Sequence, residues 1–88
     1  MNNIWILTIV DVCLQEPSDV KTDVFIDEAK AIEAFNAEYN AWKEPYESKY
    51  DNFEDWLYRD IYNKDYKYLH YIYHDGMEKI FILKRKEV

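Results

Sequence analysis

The chain has one glycine, Gly76, and it follows Asp75 between two strand-forming runs in "YKYLHYIYHDGMEKIFILKR", residues 66 to 85. A two-residue type I′ turn needs positive φ at both central positions, which Asp-Gly tolerates, so the pair predicts a β-hairpin. The turn also sets a register. His74 then faces Met77, Ile72 faces Lys79, His70 faces Phe81 and Tyr68 faces Leu83 on one side; Tyr73, Tyr71 and Leu69 face Glu78, Ile80 and Ile82 on the other. A slip of one residue would exchange the two sets.

The rest of the chain reads around that hairpin. Residues 4 to 14, "IWILTIVDVCL", put Ile4, Ile6, Val10 and Val12 on one side and Trp5, Leu7 and Ile9 on the other, which predicts a central strand covered on both faces. "QEPSD" at 15 to 19 reads as a turn, and "VKTDVFI" at 20 to 26 alternates as a half-buried strand antiparallel to the first. Asp27 is placed to cap a helix, in which Ile32, Phe35, Tyr39 and Trp42 recur at spacings of three, four and three. Pro45 disfavours helical geometry at Glu44 and predicts the end of that helix. "DNFEDWLYRDIYN" predicts a second helix, with Asp51 as N-cap, Glu54 three residues on, and Phe53, Trp56, Leu57 and Ile61 as its apolar stripe.

The expected fold is therefore α+β: one compact domain over residues 1 to 88, a two-layer ββααββ arrangement with a four-stranded antiparallel sheet and two helices packed on one face. Two short helices cover one face of such a sheet, and the apolar residues exceed one face. If Leu69, Tyr71, Ile80 and Ile82 join Ile4, Ile6, Val10, Val12, Val24 and Ile26 under the helices, then Trp5, Leu7, Ile9, Phe25, Tyr68, Ile72, Phe81 and Leu83 look outward. Pattern does not decide between this assignment and its inverse. Either leaves an aromatic and apolar open face, of the kind that marks an interface. Trp5, Phe25, Tyr68, Ile72, Phe81 and Leu83 are the expected self-association residues, and a homodimer through the open face is one expectation for the chain.

Charge bears on the other. Residues 11 to 60 carry fourteen Asp and Glu against five Lys and Arg, while residues 61 to 88 carry four against six, within a net charge of −7. An acidic block argues against direct nucleic-acid or anionic-membrane binding, both of which need cationic side chains, and fits a basic protein partner. Glu44, Glu47, Asp51, Glu54 and Asp55 are the candidate residues for such a partner. Aromatics on a sheet can stack nucleobases, but the grooves that do so are positively charged.

Recognisable chemistry is sparse. His70 and His74, four apart on a strand, lie about 13 Å from each other and cannot share a metal ion. Cys13 has no partner within the chain and reads as a structural thiol. The glycine is used by the hairpin, so no phosphate-binding loop is expected. No catalytic residue, cofactor or metal site is expected, although a cavity lined by Tyr66, Tyr68, His70 and His74 would change that. The first residues lack a basic segment and a long apolar run, which predicts a soluble, cytoplasmic protein. In length, negative charge and mixture of strands and helices the chain resembles small acidic anti-defence proteins of phages, such as many anti-CRISPRs. The resemblance is of size and composition, and it implies an inhibitor whose Asp and Glu side chains stand in for phosphates in a partner's nucleic-acid-binding groove.

Overall fold

The computed structural model describes residues 2–13, 16–74 and 76–87. It is α+β: five strands, β1 (Asn3–Cys13), β2 (Glu16–Phe25), β3 (Leu57–Asn63), β4 (Tyr66–Tyr73) and β5 (Met77–Glu87), and one α-helix, α1 (Glu28–Lys49). The strands form a single antiparallel sheet in the order β2-β1-β5-β4-β3. A meander, β3-β4-β5, is thus joined to a hairpin, β1-β2, through the pairing of β1 with β5.

Asp27 caps α1 as expected, its carboxylate accepting from the backbone N–H groups of Ala29 at 2.9 Å and Lys30 at 3.4 Å. The helix does not stop before Pro45. It runs 22 residues to Lys49 with the proline inside it, and the expected second helix is replaced by a single 3₁₀ turn, Phe53–Trp56, followed by β3. Aromatic packing on both sides of Pro45 holds the longer helix in place: Trp42 and Tyr46 both dock on Tyr73, at centroid distances of 5.5 Å each. A turn between β3 and β4 follows where the expected second helix would end. Asn63 pairs with Tyr66, and the Asn63 side chain accepts from the Asp65 N–H at 3.0 Å, an Asx turn that converts "LYRDIYN" into an edge strand.

Two further expectations are corrected. β2 begins at Glu16, so Pro17 lies in an edge strand, where a missing N–H is tolerated; Gln15 of the expected turn falls outside the described residues. The β4-β5 hairpin is shifted by one residue: Tyr73 pairs with Met77, Ile72 with Glu78, His70 with Ile80 and Leu69 with Phe81. Its loop spans 74 to 76, with positive φ at His74 (44°) and Gly76 (99°), and Asp75 itself lies outside the described residues. The shifted register gathers Tyr71, Tyr73, Phe81 and Leu83 on one face, where α1 can cover them together. The two-residue loop would have split them.

That face is the core. Leu7, Ile9, Phe81 and Leu83 of the sheet close on Ala31 and Phe35 of α1, with Trp5, Phe25, Leu69, Tyr39 and Trp42 packed around them. The inverse assignment of faces therefore holds in the main: Trp5, Phe25, Phe81 and Leu83 lie under the helix, not on the open face, and of the expected self-association residues only Tyr68 and Ile72 face away from α1. The bulkier aromatic set is the one that interlocks with Phe35, Tyr39 and Trp42; the largely β-branched set of β1 and β2 is left outside. β1 is interior to the sheet, as expected, but covered by α1 on one face only. Ile32, expected in the helix stripe, is 41% exposed, and Ala31 takes the buried position beside Phe35.

Phe81 is fully buried between β1, β4 and α1. Phe81→Ala should destabilise the fold by about 3–5 kcal/mol, as large-to-small aromatic changes in cores do, and Phe81→Glu should abolish cooperative unfolding rather than only alter assembly. Urea titration followed by far-UV circular dichroism checks both; a stable, folded Phe81→Glu protein would refute the core position.

Candidate functional site

One end of the molecule is built from aromatic side chains. Helical positions 42 and 46 lie on one face, and they carry Trp42 and Tyr46 onto β4. After the helix ends at Lys49, the 3₁₀ turn brings Phe53 and Trp56 back under it, because residues three apart eclipse in that geometry. Phe53 stacks on Tyr71 at 5.3 Å and Trp56 on Tyr73 at 5.8 Å. His74 joins this group rather than His70: its ring lies 5.8 Å from Tyr46, 5.4 Å from Tyr50 and 5.4 Å from Trp56.

The carboxylates follow from the same geometry. With Trp42 and Tyr46 turned inward, Glu44 and Glu47 point outward; with Phe53 and Trp56 inward, Glu54 and Asp55 do too. Glu44, Glu47, Asp51, Glu54 and Asp55 are all exposed, on one continuous stretch of chain. Among the described residues, only Glu47 of the five has an ion-pair partner, Lys43 at 3.7 Å. The expected acidic residues are thus exposed on a backbone held by packed rings.

The opposite face of the sheet carries a second feature. Across the strands from β2 to β3, Thr22, Thr8, Ile82, Tyr68 and Ile61 form one row and Val20, Val10, Ile80, His70 and Arg59 the next. A row on either side adds Val24, Ile6, Lys84 and Tyr66, and Val12, Glu78 and Ile72. Within it Glu78, His70 and Tyr68 are linked: the His70 Nε2 lies 2.6 Å from Glu78 Oε1, and its Nδ1 lies 3.1 Å from the Tyr68 hydroxyl. Sequence reading paired His70 with Phe81 and so missed this chain; the signal for it was the bulky set that the core required on the other face. Burial pushes the Tyr68 phenol above its ordinary range, so the tyrosine beside His70 stays protonated.

A cleft of about 220 Å³ lies at the far end, between the start of α1 and the β3-β4 turn, with Trp5 and Leu83 among its lining. Its Arg85 is engaged by Asp65 at 2.8 Å. Tyr66, Tyr68, His70 and His74 do not line one cavity: Tyr66 reaches this cleft, Tyr68 and His70 lie on the uncovered face, and His74 joins the aromatic end. No group of three potential metal-ligating side chains occurs among the described residues, and no helix there is long and apolar enough to cross a membrane. No known family model matches the chain, and no curated protein or solved structure is significantly similar to it.

Tyr71 anchors the aromatic end. Its hydroxyl lies 2.6 Å from that of Tyr39, and burial together with this hydrogen bond holds its phenol well above the ordinary tyrosine range; burial also raises that of Tyr73. Both raised values mean that the folded state keeps these protons after the unfolded chain, ionising near about pH 10, has released them. Stability should be fully present below about pH 10 and fall above it, by up to about 1.4 kcal/mol per pH unit for each tyrosine. Urea midpoints measured from pH 8 to 11.5 should show that decline, and Tyr71→Phe should flatten it. An unchanged slope in the variant would remove Tyr71 as its source.

Proposed function

We propose that this protein is a small, non-enzymatic binding module that presents carboxylates to a basic site on another protein. The observation that carries the reading is the exposed run Glu44, Glu47, Asp51, Glu54 and Asp55 on a ring-packed support. Acids held on a fixed backbone lose little conformational entropy when a partner's cations meet them, and complementary charge speeds encounter and sets orientation. Lys and Arg side chains of a nucleic-acid-binding groove are the chemistry such a surface fits, with carboxylates in the place of phosphates. On this reading the protein inhibits its partner by occupying the groove, as an anti-defence protein of a phage would.

Competition for a groove is directly measurable. Against a panel of basic nucleic-acid-binding proteins, the wild type should displace a fluorescent oligonucleotide from its target, and raising salt from about 50 to 300 mM should weaken that displacement at least about tenfold, because the Debye length shrinks over that range. Charge reversal of all five acids to Lys should abolish it while leaving circular dichroism unchanged. Displacement that survives charge reversal at low salt would rule out the acidic stretch as the binding surface.

A further inference from the structure

The sheet face turned away from α1 has no covering element among the described residues, and its composition differs from that of the rest of the surface. The chain carries 18 Asp and Glu, yet in the four rows described above Glu78 is the one carboxylate, and His70 already occupies it at 2.6 Å. The centre of the face is Ile80, Ile82 and Val10, flanked by Val20, 58% exposed, and Val24, 60% exposed. We propose that this face is the interface of a homodimer, in which two copies pack sheet against sheet.

Three observations select a second copy. The first is size. The seventeen residues of those rows, on strands about 4.8 Å apart with about 6.8 Å between rows, cover roughly 550 Å² per copy, so two copies bury about 1,100 Å², which clears the roughly 1,000 Å² that a specific interface needs. The second is charge. A chain of net charge −7 repels its own copy least where its acids are absent, and this face, with Arg59 and Lys84 at its margins, is such a place. A basic partner, by contrast, finds no free carboxylate here. The third is polar satisfaction. Tyr68, His70 and Glu78 are hydrogen-bonded within the chain, so covering these three asks for no matching charged group; the other polar side chains of the rows are Thr8 and Thr22, with Arg59, Lys84 and Tyr66 at the margins. The occupant needs a gently twisted surface with an apolar centre, and the face itself is one. Two twisted sheets stack with their strands about 30° apart, which sets the expected arrangement of the dimer.

Sedimentation equilibrium from 5 to 200 µM tests this. The wild type should sediment at twice the 10.8 kDa chain mass. Ile82→Lys and Ile80→Lys should each weaken self-association at least a hundredfold, giving folded monomers, while Ile26→Lys, at an exposed site beyond the end of β2, and charge reversal of the five acids should leave the dimer intact. Because a lysine on the middle strand β5 can unfold the sheet, a second measurement uses neither variant. A nitroxide on Thr22→Cys, in a Cys13→Ser background, is mixed with isotope-labelled wild type, and broadening should fall on amides of β1, β4 and β5 and spare α1. A wild type that remains monomeric at 200 µM, a dimer that survives both lysine variants, or broadening centred on α1 would each overturn the proposal. None of these outcomes bears on the acidic stretch, whose test is competition for a partner.

Discussion

The indole of Trp42 lies with its centroid 5.0 Å from Tyr71, 5.4 Å from Tyr46, 5.5 Å from Tyr73, and 5.7 Å from both Phe53 and Phe81. One side chain thereby ties α1, the 3₁₀ turn, β4 and β5 together. It also explains the helix's passage through Pro45. A proline in a helix interior costs about 3 kcal/mol, whereas an aromatic pair contributes about 0.5–1.5 kcal/mol beyond the area it buries. Tyr46, the residue after the proline, contacts Trp42, Trp56, Tyr73 and His74. Several such pairs offset the penalty, and the helix continues to the point where Phe53 can turn beneath it.

This is also where sequence reading and structure part. The elements whose signals are local were legible: the alternation of β1 and β2, the Asp27 cap, the existence of the last hairpin. The features set by distant contacts were not. Pro45 is a true local disfavour, overruled by rings that arrive from β4, some 25 residues later. Asp75-Gly76 marks the hairpin, but the choice between a two- and a three-residue loop was made by the need to place Tyr71, Tyr73 and Phe81 together. "LYRDIYN" has apolar residues at both helical and strand spacings, and the Asx turn at Asn63 resolves the ambiguity. Of the surfaces, the acidic stretch was legible because charge is local. The uncovered face could not be assigned, since it depends on a register that shifts every side chain across the sheet.

The two surfaces are separated by the sheet itself. α1 and the 3₁₀ turn hold the exposed acids of residues 44 to 55 on one side, while the four rows centred on Ile80 and Ile82 lie on the other with a single, already engaged carboxylate. α1 and the core it covers lie between those acids and the sheet, so the charged layer and the uncovered apolar face are a full layer of structure apart and neither disturbs the other. The chain's strongly uneven charge is therefore a property of its layering, not only of its order in sequence.

The pairing of β1 with β5 runs from Asn3 opposite Glu87 to Val12 opposite Glu78. The first and last strands of the sheet thus lie side by side in its middle, and the longest loop closure in the fold must be completed before the centre of the sheet exists. Until β5 has been made, β1 can pair with β2 alone and β4 with β3 alone, so the two hairpins join into one sheet only when this last of its strands emerges. The same adjacency means that a short peptide joining residue 3 to residue 87, with a new opening cut at the exposed β3-β4 turn, would preserve every strand pairing of the sheet.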